Sequence, residues 1–244
     1  MLDYTAYMYD KLCKYISDSE YTSSTVKNYI LLKECFDKII VLRHDVDGKA
    51  EDALRMANIE KIYGLKSTYY FRKKSFCFKP NIIQKIEKMG YEVGYHYETL
   101  DDTNGNVEQA FKLFKINLSL FRKFCNVETV CAHGNPFKNH YNGDIWKKYN
   151  FKKLDLIGEA YQSINFNNCY YVSDSGGSWN NFSNTSSFIR ILKNGSYPVI
   201  YTLIHTDNWT IDYMSWLRNR FHSLLPLFLQ RGFVEIKKIY IHKY

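Results

Sequence analysis

At 244 residues the chain is long enough for one large domain, and a strand–helix barrel of that length is ordinary, so a single domain is the expectation. The six cysteines form no CxxC pair, which argues against a disulfide framework or a thiolate zinc site and for reduced thiols in a cytoplasmic protein. The net charge of +8 is spread along the chain, which speaks for solubility rather than a nucleic-acid partner, and the longest apolar run near the C-terminus, LLPLFL, is too short to span a bilayer.

The N-terminal MLDYTAYMYDKLC carries Asp3 and Asp10 and lacks the basic-then-apolar order of a signal peptide. Residues 1–38 are expected to form a helical extension, with Tyr4, Met8, Leu12 and Tyr15 on one stripe, a Ser/Thr-rich break at 22–25 and a second short helix. This extension is predicted to cover the main domain without adding a strand to it, and the main domain to run from 39 to 244. Ile39 to Gly48, IIVLRHDVDG, opens that domain: an apolar strand that delivers an arginine, a histidine and two carboxylates at its C-terminal end.

Ala50, Ala53, Leu54 and Ala57 then mark a helix stopped by Gly64, followed by a strand at 67–71. Pro80 and Asn81 start a helix that ends at Gly90, and a third strand, YEVGYH, spans 91–96. Asn106 and Gln109 cap a long helix whose stripe is Val107, Ala110, Phe111, Phe114, Leu118 and Phe121. Strands follow at 127–133, 152–157, 169–172 and 198–205, with a short helix near 143–149. Beyond them Tyr213 to Arg231 reads as helical but broken at Pro226. Seven strands alternating with helices predict a parallel sheet curled into a βα barrel, and both GxGxxG and GxxxxGK[ST] are absent, which weakens a nucleotide-binding sheet.

Strand period two puts Arg43, Asp45 and Asp47 on one face of the opening strand and His44 on the other. Three further strands end in His96, His133 and His205, and in a βα barrel all C-terminal strand ends open on one face. A single strand-end histidine is usually a hydrogen-bonded structural residue, and the two aspartates alone could cap the next helix. Together, however, carboxylate and imidazole donors on one face suit Zn²⁺ or a similar divalent ion with a position left open for water.

With these motifs in view, the chain resembles the polysaccharide deacetylase family, the nodulation-deacetylase-like carbohydrate esterases. RHDVDG stands where that family has a strand ending in two aspartates, GYEVGYHYE resembles its glycine-flanked histidine motif, and CAHGNP its loop after the fourth strand. SDSGGSW is similar to its Asp and Trp stretch, and LIHTDNW to its final Leu-x-His motif. The resemblance covers roughly residues 38–210. It implies a distorted (β/α)7 barrel, a divalent metal, a carbohydrate substrate, and removal of an N-acyl group, acetyl above all, from an amino sugar in a glycan or glycan precursor. It further implies one aspartate as base and the other as metal ligand, here Asp45 and Asp47, and His205 as general acid.

Two features depart from the family pattern. Val46 separates the two aspartates, which are otherwise adjacent, and Leu100 stands where the family has a second histidine. A third ligand must therefore come from His133 or Glu98; barrel geometry favours His133, which ends a neighbouring strand, giving the set Asp47, His96 and His133. Arg43, Glu98, Asn135, Asp174, Trp179 and Trp209 are the expected substrate contacts, although Asp174 within SDSGG is equally a turn-former. Two rival readings remain: a haloacid-dehalogenase-like phosphatase using Asp45 and Asp47 as its DxD pair, and a glycan-binding relative that has lost its metal.

Overall fold

The computed structural model describes residues 3–32, 37–211 and 214–215. Among these residues eight strands lie parallel in one sheet: β1 (Thr22–Ser24), β2 (Ile39–Val46), β3 (Thr68–Arg72), β4 (Glu92–Tyr97), β5 (Thr129–Ala132), β6 (Gly158–Glu159), β7 (Tyr170–Ser173) and β8 (Val199–His205). Seven of them follow the order β6-β5-β4-β3-β2-β8-β7, so the opening strand of the domain sits in the middle, hydrogen-bonded to the last. All eight residues of β2 are buried, as its unbroken apolar and charged run requires of a central parallel strand.

The sheet curls into a distorted (β/α)7 barrel whose open seam lies between β6 and β7. The local reason is length: β6 has two residues, and only a 3₁₀ turn at Phe166–Asn168 connects it to β7, with no α-helix to press the two strands together. Aromatic rings fill the seam from inside. Phe166 lies 6.2 Å from Tyr161, 5.4 Å from Tyr171 and 5.2 Å from Tyr201, and the Tyr201 hydroxyl donates to the Ala160 carbonyl at 3.1 Å.

Helices α3 (Ala50–Ile62), α4 (Pro80–Lys88), α6 (Val107–Phe121) and α7 (Thr185–Asn194) pack outside the sheet, with the short α5 (Thr99–Asp102) leading into α6. Helix α1 (Ala6–Ser17) begins at Thr5, whose hydroxyl accepts the Met8 N–H, and buries Met8, Tyr9, Leu12, Cys13 and Ile16 against α3 and α7. Helix α2 (Val26–Leu31) closes the base of the barrel. Its Val26 N–H donates to Thr68 Oγ1 at 2.8 Å and its Lys27 N–H to Glu92 Oε2 at 2.9 Å, while Val26 and Tyr29 join Ile39, Val41, Tyr70 and Tyr201 in the inner core. No helix among the described residues is long and apolar enough to cross a membrane.

Two segments differ from the sequence expectation. The Ser/Thr-rich break at 22–25 is in part β1, which pairs Thr22 with Ile39, so the N-terminal segment adds a short strand to the sheet as well as covering it. KKLDLI is no strand: Phe151–Leu154 is a 3₁₀ turn, Asp155 takes a left-handed φ of 55°, and the sheet pairing falls on Gly158 and Glu159. The broken helix expected over Tyr213–Arg231 lies outside the described residues apart from Met214 and Ser215.

Strand alternation then sets the site. Arg43 and Asp45 point into the barrel, whereas His44 points outward and pairs with Glu60 of α3 at 2.6 Å.

Candidate active site

The C-terminal strand ends surround a cleft of about 980 Å³ lined by Asp45, Asp47, His96, His133 and His205. Asp45 lies at its floor, 2 % exposed. Arg43, two residues earlier on the same strand face, meets it side-on: Nε donates to Oδ1 at 2.9 Å and Nη2 to Oδ2 at 2.7 Å. The guanidinium is in turn stacked 4.3 Å from the Tyr161 ring centre and donates to Cys131 Sγ and the Tyr161 hydroxyl. Burial pushes the Asp45 carboxyl up, but Arg43 and His96 outweigh it and hold the group below the usual carboxylate range.

Asp47, His96 and His133 place one donor atom each within 4.8 Å of one another. His96 Nδ1 faces the Cys131 carbonyl at 3.1 Å, which fixes the hydrogen on Nδ1 and turns the Nε2 lone pair toward Asp47 Oδ1 at 3.5 Å and Asp45 Oδ2 at 3.3 Å. Burial lowers His96 to about 4, against the pull of Asp45 and Asp47, so the imidazole is neutral, the form that binds a cation. His133 Nε2 stands 3.6 Å from Asp47 Oδ2. These separations are close to the ~3.3 Å expected between donors around a tetrahedral ion with bonds of about 2.0–2.1 Å. In addition, Asp47 Oδ1 is buried without a hydrogen-bond partner among the described residues. The donor set therefore fits a divalent cation such as zinc. A second grouping, Asp45, His96 and Cys131, has its positive charge already, because Arg43 lies against both Asp45 and Cys131.

On the opposite side, His205 ends β8 opposite Asp45 in the pairing of β2 with β8. Its Nδ1 is 2.8 Å from Asp174 Oδ1, and the same oxygen accepts the His205 backbone N–H at 2.9 Å. This leaves Nε2 toward the cleft, 4.0 Å from Asp47 Oδ2. Burial pushes the imidazolium down, but the hydrogen bond and charge of Asp174, with Asp47 and Asp45 behind them, carry it up to about 10. His205 is thus cationic at neutral pH.

The six expected substrate contacts fare differently. Asn135 lines the cleft. Arg43 is fully buried and engaged with Asp45, so it holds the carboxylate rather than meeting a ligand. Asp174 is fully buried as the partner of His205 and accepts the Trp209 indole N–H at 3.0 Å. Trp209 and Trp179 pack on each other and on Tyr4 beneath the rim, away from the cleft, because their rings complete the core under α1. Glu98 is drawn aside by Arg72, which donates Nε at 3.2 Å and Nη2 at 2.5 Å, and by Lys74 at 3.1 Å. Its nearer oxygen lies 3.9 Å from His133 Nδ1.

Arg72, Phe137, Tyr141, Tyr161 and Asp207 also line the cleft and were not singled out in the sequence. Arg72 had a readable signal, being the next inward position after Tyr70 on β3; the others sit on loops, where no periodicity points to them.

Neither a known family pattern nor a curated protein sequence matches this chain. Among solved structures, the Xyl-CE4 domain of a multidomain xylanase from the hindgut metagenome of Trinervitermes trinervoides is similar with a TM-score of 0.42 and 17% identity, over 78% of this chain and 84% of that one. The Bc1960 peptidoglycan N-acetylglucosamine deacetylase, solved in complex with 4-naphthalen-1-yl-N-oxidanyl-benzamide, is similar with a TM-score of 0.41 and 13% identity, over 90% of this chain and 91% of that one.

Proposed function

We propose that this chain is a metal-dependent hydrolase that removes an N-acyl group, acetyl first among them, from an amino sugar in a glycan or glycan precursor. The observation that carries this reading is the placing of a charged carboxylate, Asp45, and a cationic imidazole, His205, in one cleft with the Asp47, His96 and His133 donor set. Hydrolysis of an amide needs both: a group to take a proton from the attacking water, and a group to give one to the leaving nitrogen.

Asp47, His96 and His133 would hold the metal. When bound, a divalent cation would polarise the acyl carbonyl and acidify a water in the cleft. Asp45 accepts the water's proton as the oxygen attacks the carbonyl carbon, and Arg43 keeps its carboxylate oriented for that transfer. His205 donates from Nε2 to the nitrogen as the C–N bond breaks, so that an amine leaves rather than an amide anion. Asp174 fixes the imidazole from the other side and stabilises its positive charge beforehand. The products are the free amine and the carboxylate.

The test is metal titration of chelator-stripped protein, followed by assay of amine release from N-acetylated sugars. One equivalent of Zn²⁺ bound, with amine release restored at that stoichiometry, is the expected result. A protein that takes up no divalent ion and releases no amine overturns the reading.

A further inference from the structure

Along the sequence the cations are spread out, yet the fold gathers them on one flank of the barrel. Helix α6 turns Ala110, Phe114, Leu118 and Phe121 toward the core, and its opposite stripe carries Lys112, Lys115, Ile116 and Lys123, all exposed. The segment 142–155 runs beside this helix over its whole length. At one end the Lys148 ammonium pairs with Glu108 in the first turn of α6, and at the other Arg122 donates to the Asp155 carbonyl at 3.2 Å. This segment adds Lys147, Lys148, Lys152 and Lys153, again all exposed. Residues 107–123 and 142–155 together hold eight cations and three carboxylates, so five of the chain's eight net positive charges lie on this one flank. With 15 residues in α6 the face is about 22 Å long.

The fold gains nothing from this crowding. Lys112 and Lys115 are like charges at i,i+3, and the positions four residues on, where a carboxylate would relieve them, hold Ile116 and Ser119. Glu108 is taken by Lys148 and Asp144 by Lys147, while Lys112, Lys123, Lys152 and Lys153 form no salt bridge among the described residues. Two of the ammonium groups are also held in place by rings. Phe111 and Tyr149 stack at 3.7 Å, with Lys115 Nζ 5.1 Å over the Phe111 ring and Lys148 Nζ 5.9 Å over the Tyr149 ring.

A concentrated positive potential on a convex face fits an extended anionic surface. Two observations choose among such surfaces. Ile116 is 65 % exposed within the lysine stripe, which suits entry into a lipid headgroup layer. The rings of the face, Phe111 and Tyr149, are taken up by each other and by lysines, so neither is left to stack on a nucleic-acid base. We infer that the α6 flank docks on an anionic phospholipid surface, with its lysines on the phosphates and Ile116 in the headgroup layer. The inference stands apart from the reaction in the cleft.

The test is co-sedimentation with vesicles of phosphatidylcholine alone and of phosphatidylcholine with about 30 % phosphatidylglycerol, each at low and high salt. Wild type should pellet with the anionic vesicles at low salt, leave them at high salt and ignore the neutral ones. Lys112→Gln/Lys123→Gln/Lys152→Gln/Lys153→Gln should lose more than about a hundredfold in vesicle affinity, about fivefold for each lysine. The control Lys49→Gln/Lys61→Gln/Lys66→Gln/Lys79→Gln has the same net charge but exposed lysines removed elsewhere, and should bind within about threefold of wild type. Ile116→Ser should weaken binding by about fivefold and keep the salt response. Melting temperatures confirm that each variant is folded. Wild type that binds neither kind of vesicle, equal losses in the two quadruple variants, or tighter binding to an oligonucleotide than to the anionic vesicles at the same salt, overturns the inference.

Discussion

Replacing Asp174 by Asn acts on His205 with almost no change of volume, and its consequences can be worked through atom by atom. Asp174 is fully buried; Oδ1 accepts the His205 backbone N–H and faces Nδ1, and Oδ2 accepts the Trp209 indole N–H. An amide has one acceptor to offer where the carboxylate has two. With its oxygen toward His205, its NH₂ meets the Trp209 N–H; reversed, it meets the cationic His205. Either arrangement leaves a buried donor unpaired, which costs about 1–3 kcal/mol. The larger effect is electrostatic. Without the Asp174 charge, His205 should fall from about 10 toward its ordinary 6.5. At pH 8 the protonated fraction would then drop from nearly all to about 3 %. Amine release at pH 8 should fall by about thirtyfold, in step with that fraction, and recover in part at pH 6, because the acid is again charged there. The stability sign follows the same raised pKa. In wild type the contribution of His205 is complete below pH 6.5 and is lost as pH rises toward 10, and in Asp174→Asn this alkaline dependence should flatten. A dication at Asp47 would push His205 down, so the imidazole is best titrated by NMR on chelator-stripped protein, with amine release and thermal melting measured from pH 6 to 9 on the loaded form. An unchanged His205 titration, or amine release at pH 8 within threefold of wild type, would refute the role given to Asp174.

Arg43→Met should destabilise the fold by about 3–5 kcal/mol in denaturant titrations, because Asp45 is left buried without its guanidinium, and Arg43→Met/Asp45→Asn should recover part of that loss. His133→Ala should lose the stoichiometric metal, whereas Glu98→Gln should keep it, since Glu98 is held by Arg72 and Lys74; elemental analysis showing the reverse would make Glu98 the ligand. Glu60 is pushed up by burial but pulled further down by His44 and the hydroxyls of Ser67 and Tyr9, so its folded pKa lies below the unfolded one. Its stabilisation is therefore present above about pH 4.5 and lost as pH falls below it, and Glu60→Gln should lower stability at pH 7 while flattening the acid limb of a urea series.

What the sequence discloses is what backbone periodicity controls. Alternation on β2 separates inward Arg43 and Asp45 from outward His44, and the polar residues that end β2, β4 and β8 reach one face because a parallel barrel has only one C-terminal end. What it hides depends on packing between distant elements. SDSGGSW and TDNW each look like loop polar and aromatic groups, yet Asp174 buttresses His205, and Trp179 and Trp209 turn under Tyr4 from an N-terminal segment with no sequence signal linking them. Glu98 is similarly opaque: whether its carboxylate faces the cleft is decided by its pairing with Arg72 and Lys74, not by spacing. The two-residue β6 is too short to carry any period, and the alternating KKLDLI beside it is the better strand on pattern alone, so the pattern misleads there.

The most direct measurement is amine and acetate release from an N-acetylated amino-sugar oligomer by the metal-loaded protein, beside Asp45→Asn and His205→Ala. One amine per acetate from wild type, with both variants slower by about a hundredfold or more and still holding one equivalent of metal, is the predicted result. Full amine release by both variants, or phosphate release from phosphomonoesters as the sole activity, would contradict it.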